Sequence, residues 1–445
     1  MAEKTSSIPG LKTFPERESG FNMAFNYLEA RRKLDGAEGL WRIRNSLYDL
    51  EKFAKIHPGG EEWIRLTKGT DITEIFESHH LTEKASRLLP KYHIRDTSSP
   101  RSVPLTFEPN GFYNTFKKRA LGALRDVDFH HPSKKSNMIA DLVSLGRDGI
   151  IIKTLIFLGI FLAWTAIIGH NYFHMRDNFR MYYFDFCTMS SKDWRISHVL
   201  SHHTYPNTIW DFEMYVAEPF FNWLPEKSKS KIDVKKIPIG KVLNFFNMSL
   251  HISRSIFSRL AETLTSFLLQ NFRYYGVFCI YRKFEFRDVV PFVIPVTMSF
   301  FAPTALIALK QWALIIMVCS FVFFMVGFNA AHHHPDIFHD GDVYRDNLDW
   351  GLLELDAVRD RKVIDDSDFL VLTNFGMHGL HHLLPTVDHS YLPLCQKAFD
   401  ETCKEFGIHN DKLSQWELAK GQFKQLLIFI TEGNGREEVG TNGAN

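Results

Sequence analysis

A chain of 445 residues with a formal net charge of +1 has room for two or three units and carries no global field to draw nucleic acid or an acidic partner. Hydrophobic residues make up 45% of it, with 40 Phe, which allows a lipid-facing portion, and its 21 His exceed ordinary structural use. Five Cys (Cys187, Cys279, Cys319, Cys395 and Cys403) form no CxxC pair, which argues against a thiolate zinc site or a disulfide framework and fits a reducing, cytosol-facing compartment. In chain order, residues 1–35 read as a polar arm with some helix near 21–32 and no apolar core of a cleavable secretory signal. Residues 36–98 are compact, alternating and charged, as in a small soluble domain. Residues 99–136 read as a linker, punctuated by Pro100, Pro104, Pro109 and Pro132 and carrying basic clusters suited either to a headgroup surface or to a plain solvated face. Three apolar runs follow, at 149–168, 289–309 and 312–328, each near the ~20 residues that cross a bilayer core. Lys310-Gln311 is the expected connection between the last two. Residues 261–281 read as an aromatic, amphipathic segment that lies in the interface or packs on the bundle. After Gly379 the chain reads as soluble again, with helical periodicity over 391–431 closing a domain that starts at 137, and the Gly- and Asn-rich stretch 432–445 reads as a disordered tail.

His57-Pro58-Gly59-Gly60 follows an extended run from Trp41 to Leu50. The proline and two glycines force a turn and leave no bulk beside the imidazole, so a flat ring can approach it. A further imidazole comes from His79-His80, after Phe76. Two imidazoles on opposite faces of a porphyrin leave its iron six-coordinate, an electron carrier rather than an oxygen binder. Trp41, His57-Pro58-Gly59-Gly60, Gly69, Asp71, Phe76, His80 and Tyr92, in that order, resemble cytochrome b5 across residues 36–98. The resemblance implies a small α+β domain with haem b held by His57 and His80, His79 being the adjacent alternative. Glu61, Glu62, Asp71, Glu74 and Glu77 read either as an acidic rim that steers a basic reductase or as a generic solvated surface.

Four histidine clusters flank the apolar runs: His170 and His174; His198, His202 and His203; His332-His333-His334 after Asn329; and His378, His381 and His382. Spacings of three and four place side chains on one helix face. Neutral imidazole suits iron, copper or zinc, and since one zinc takes only four ligands, this many histidines imply two metals. The order of boxes and spans (HxxxH, HxxxHH, a pair of spans, an Asn/His element, HxxHH) resembles membrane fatty acid desaturases and hydroxylases over roughly residues 137–395. The resemblance implies an all-α integral-membrane domain with iron ligands His170, His174, His198, His202, His203, His333, His378, His381 and His382. Asn329, four residues before His333, would hold a metal through water. Asp193, Arg195, Asp211 and Glu213 are candidates to orient ring N–H groups, or plain helix caps.

The two resemblances imply a membrane-bound oxidoreductase that desaturates an acyl chain with O2 at two non-haem irons. The fused haem would relay electrons from NADH–cytochrome b5 reductase at high effective concentration. They further imply a membrane lipid or acyl-CoA substrate and a multi-pass position in the endoplasmic reticulum membrane with both domains facing the cytosol. A lipid hydroxylase and a non-catalytic, membrane-anchored haem electron carrier are the alternatives. Two features depart from the family pattern. One clear span precedes the first box, with Gly146-Arg147-Asp148-Gly149 able to turn a short re-entrant hairpin. The last box begins with His378, where b5-first desaturases acting toward the carboxyl end begin with Gln.

Overall fold

The computed structural model describes residues 6–14, 24–145, 155–216, 222–225 and 286–425. The 146–149 turn, the 261–281 segment and the 432–445 tail lie outside the described residues.

Helix α1 (Ala24–Leu34) leads into a three-stranded antiparallel sheet of β1 (Trp41–Ile43), β2 (Ser46–Tyr48) and β3 (His93–Asp96), ordered β1-β2-β3. Trp41 pairs with Tyr48 and Ser46 with Asp96. Four short α-helices intervene between β2 and β3: α2 (Glu51–Ala54), α3 (Glu61–Leu66), α4 (Thr73–His79) and α5 (Lys84–Leu88). Trp41, Ile43, Leu50, Ala54, Ile64, Ile72 and Phe76 fill a small core between sheet and helices. The turn before α3 needs its glycines. Gly60 sits at φ +113°, and a Cβ on Gly59 would lie 2.9 Å from the His57 ring.

The body that follows is helical. It contains α6 (Phe112–Ala123), α7 (Lys134–Leu145), α8 (Leu155–Phe173), α9 (Ser191–Trp194) and α10 (Phe212–Val216). Beyond these come α11 (Val293–Phe301), α12 (Ala305–Ser320), α13 (Asn329–His332), α14 (Trp350–Asp356), α15 (Asp368–Thr373), α16 (His378–Leu383), α17 (Leu392–Glu405) and α18 (Gln415–Gln425). Two stretches, Arg195–His202 and Phe321–Phe328, wind as π-helix. The expected break at Lys310-Gln311 is absent, and α12 runs through it. The chain turns instead at Ala302-Pro303-Thr304, where Pro303 lacks an N–H and the Thr304 hydroxyl accepts from the Ile307 N–H to start α12.

Leu155–Phe173 and Ala305–Phe324 are long and apolar enough to cross a membrane, with mean hydropathies of 1.6 and 2.1. Ile156, Phe157, Phe300, Phe301, Leu306 and Leu309 are all more than half exposed, Phe301 at 86%. In water each would forgo half or more of the about 1.5–3 kcal/mol that full burial of such a side chain contributes, so this apolar belt suits a lipid surface. The far end of α8, carrying His170, is buried.

Segments expected as arm and linker belong to the main core. Ile8, Phe14, Tyr27, Val103, Leu105, Phe112 and Phe116 are buried in it. The Phe14 ring lies 5.2 Å from Trp210, whose indole N–H donates to the Lys12 carbonyl at 2.7 Å. Ser6 and Ser7 donate to the Asp340 carboxylate. Apolar side chains recurring within these polar stretches were the overlooked signal.

Candidate metal centre and haem site

α8, the π-helical turn, α13 and α16 bring nine imidazoles together. Ring nitrogens of His170, His174, His198, His203 and His381 lie within 4.8 Å of one another, as do those of His202, His332 and His382. His378 joins the second group through a 2.7 Å Nε2–Nε2 approach to His332. The His203 and His382 rings stack at 3.9 Å and link the two groups. The π-helical winding matters locally: the His203 N–H donates to the His198 carbonyl five residues back, at 2.7 Å. This wide turn lets His198, His202 and His203 share one face.

Acceptors behind the rings fix which nitrogen faces inward. Nδ1 of His202 lies 2.7 Å from Asp211, that of His198 3.1 Å from Glu213, and that of His382 2.7 Å from Glu354. Nδ1 of His332 donates to the Ala357 carbonyl at 3.0 Å. Each contact leaves the Nε2 lone pair directed at the cluster. Burial pushes the Glu213 and Glu354 carboxyls well above the usual range and the His198, His203, His381 and His382 imidazoles well below theirs. Both ring nitrogens of His203 and of His381, and Nε2 of His382, are buried without a hydrogen-bond partner. Leaving such groups unsatisfied costs about 1–3 kcal/mol each. A neutral, inward-facing nitrogen set of this kind fits metal ions.

In the N-terminal unit, the rings of His57 and His80 face each other with centroids 6.3 Å apart. Two imidazoles sharing one metal, each ~2 Å from it through nitrogen and ~1 Å more to the ring centre, would have centroids about 6 Å apart. His57 Nδ1 donates to the Gly60 carbonyl at 2.9 Å and His80 Nδ1 to the Phe76 carbonyl at 3.0 Å, leaving both Nε2 atoms free to ligate. Phe53 and Phe76 flank the two rings. His79 points elsewhere: its ring lies 5.7 Å from Trp63 and its Nδ1 3.0 Å from the Ser78 hydroxyl. The facing pair and apolar walls fit a haem.

Residues 150–413 match the family described as fatty acid desaturase, and residues 28–98 match the cytochrome b5-like haem/steroid binding domain. The chain belongs to the fatty acid desaturase family. It is 40% identical over 427 residues to the cytochrome b5-related protein of Drosophila melanogaster, covering 92% of this chain and 93% of that one. It is 42% identical over 144 residues to the protein of the same name from Drosophila virilis, covering 32% of this chain and all of that one. Delta(5) fatty acid desaturase A of Dictyostelium discoideum is 22% identical over 430 residues, 82% of this chain and 85% of its own. No solved structure matches. The chain is thus a desaturase-type oxidoreductase: a small α+β cytochrome b5-like haem domain followed by a helical desaturase domain.

Most of the residues singled out in the desaturase boxes converge, with one change of register. His332, not His333, enters the cluster; His333 stacks on Trp223 at 3.9 Å and meets His339 at 3.1 Å. The Asn329 side chain lies outside the described residues. Asp193 sits in the first turn of α9, its N–H capped by Ser190. Arg195 does not orient a ring; it pairs with Glu62 of the b5-like domain and with Asp177. Glu354 and His389 were missed by sequence reading. His389 packs on His381 at 4.4 Å, its Nδ1 2.6 Å from Asn171 Oδ1. Glu354 had a usable signal, as a carboxylate inside the apolar run Leu352-Leu353-Glu354-Leu355; His389 belongs to no spacing pattern.

Most of the expected acidic rim is engaged within the chain, and Glu62, Glu74 and Glu77 reach the desaturase body. Asp71 and Glu74 are buried on Arg101, and Glu74 also accepts from Tyr205 at 3.1 Å. Glu77 pairs with Arg44, and its backbone carbonyl accepts from Lys117 at 2.7 Å. Glu61 pairs with Arg65 of its own helix.

Proposed function

We propose that this protein introduces a double bond into a lipid-borne acyl chain, using O2 and two irons held by the nine clustered imidazoles, with electrons relayed singly by a haem held between His57 and His80. The observation that carries this reading is the convergence of nine buried imidazoles, several with no partner but one another. Bound iron supplies O2-dependent oxidation of an unactivated C–H bond, and haem supplies the electrons that O2 reduction consumes. The protein's own task is to hold that chemistry in place. Asp211, Glu213, Glu354 and the Ala357 carbonyl fix ring orientation. Trp194 and Phe375 pack against the rings, with Phe323 behind Trp194; all three are buried and exclude water.

The substrate is a membrane lipid or acyl-CoA, and NADH–cytochrome b5 reductase is the external electron source. The b5-like domain contacts the histidine-bearing body, which supports a common side of the membrane for both. We assign that side to the cytosolic face of the endoplasmic reticulum.

Expression of the full chain in a host with simple lipids, followed by acyl-chain profiling, tests the proposal. New species lighter by two hydrogens, absent with His202→Ala, are expected. Gain of an oxygen would identify a hydroxylase. Unchanged acyl chains together with haem but no other bound iron would identify an electron carrier.

A further inference from the structure

Glu62 follows the His57-Pro58-Gly59-Gly60 turn by two residues, yet its carboxylate is turned away from solvent into the body. Arg195 approaches it at 2.9 Å, Arg287 at 3.0 Å and Lys192 at 4.0 Å. Burial works against its charge, but Arg287 and Arg195 hold the carboxyl below its ordinary range. These three cations come from two regions of the body far apart in sequence, so the cage exists only in the folded, docked state.

The contacts around this cage are continuous. Arg195 is 1% exposed. It also pairs with Asp177 at 2.8 Å, donates to the Phe173 carbonyl at 3.3 Å and lies 4.6 Å over the Trp63 ring. The Asp177 N–H donates to the Gly59 carbonyl at 3.3 Å, and Arg176 donates to the Pro58 carbonyl at 3.0 Å. A Cβ on Gly60 would strike the Asp177 carboxylate, so glycine permits this approach as well as the turn. Trp63 is packed in the core of the body although it belongs to α3 of the b5-like domain. Its ring lies 5.7 Å from His79, the neighbour of His80. On the body side, the Phe173 ring stacks beside His174 at 5.5 Å and lies 6.1 Å from His198.

We propose that Glu62 is a positioning residue that latches the haem domain onto the desaturase body, setting the Trp63–His79 edge against the Phe173–His174 end of the histidine cluster for electron entry. The proposal rests on the function given above. Two other rim residues fasten the same face, Glu74 through Tyr205 and Glu77 through its carbonyl with Lys117. Glu62 differs in standing beside the haem-ligand loop, where a small displacement alters the gap that one electron must cross. Ion pairing across an interface fixes register and orientation, and here both partners are in one chain, so the docked state forms at high effective concentration.

The test uses full-length protein in lipid nanodiscs and compares wild type with Glu62→Gln, Glu62→Lys and Arg287→Ala. Hydrogen–deuterium exchange on the haem- and iron-loaded protein, with no reductant or substrate present, reads docking without any turnover. Glu62→Lys is expected to raise exchange in both 58–64 and 176–195, segments separated in sequence, while 41–48 stays protected. In loaded protein the haem absorption band is expected to be unchanged, and aerobic reoxidation of reduced haem with acyl substrate present to slow roughly tenfold. Glu62→Gln and Arg287→Ala should give the same pattern in milder form, and they decide the matter if Glu62→Lys fails to fold. Unchanged exchange and unchanged reoxidation in all folded variants would overturn the latch. Wild-type haem that reoxidises no faster than haem in iron-free His202→Ala would instead overturn the underlying function.

Discussion

The buried carboxylate of Glu354 lies 2.7 Å from Nδ1 of His382, on a separate helix 28 residues further along the chain. Both side chains are fully shielded from solvent. Acceptors in this position fix the tautomer and orientation of a ligating ring, and their loss typically weakens metal binding 10–100-fold, roughly. Glu354→Gln is therefore expected to lower bound non-haem iron while leaving the haem absorption unchanged. Metal analysis beside the visible spectrum of one preparation checks it.

His332 and His333 separate on the same assay. His332→Ala removes a ring that meets both His202 and His378 and is expected to abolish turnover and reduce bound iron. His333→Ala disturbs chiefly the contacts with Trp223 and His339 and is expected to retain iron. Equal loss of iron in both variants would show that the register assigned to this box is wrong.

His80→Ala is expected to abolish haem uptake and leave the membrane body folded. His79→Ala is expected to keep the haem spectrum, because its ring is turned toward Trp63 and away from His57. Titration of each purified variant with haem distinguishes them.

Asp185 gives a pH signature. Burial raises its pKa from 3.8 to about 7. Between those values the folded chain keeps a proton that the unfolded chain has released. Its contribution therefore favours folding at low pH, declines as pH rises from about 4 to about 7, and is flat beyond. At about 1.4 kcal/mol per unit, the span amounts to a few kcal/mol. Asp185→Asn removes that dependence, so the variant's Tm is expected to gain on wild type as pH rises from 4.5 to 7.5. A constant difference across that range would contradict the assignment.

The histidine boxes were legible because their spacings are local and because the chemistry needs many imidazoles at once. The register of the third box was not. Counting four residues from Asn329 assumes that the helix runs on through His333, but α13, which follows the π-helical stretch Phe321–Phe328, ends at His332. The same wide turn at Arg195–His202 escaped notice without harm, because the HxxxHH spacing suits it. Glu354 and His389 reach the site through tertiary packing that no short window encodes. Arg195 was noticed for its place beside a box, but its role depends on Glu62, 133 residues away. The acidic residues read either as a steering rim or as a solvated surface, and the engagement of most of them within the chain was not legible, since a sequence shows charge but not which way a surface is turned.

The central claim is that the clustered imidazoles hold a pair of irons beside a haem. Metal and haem analysis of the full chain, purified without chelators, tests it most directly. One haem and close to two further irons per chain are expected, with the irons lost and the haem kept in His202→Ala. Haem with no further iron, or zinc in its place, would contradict the account.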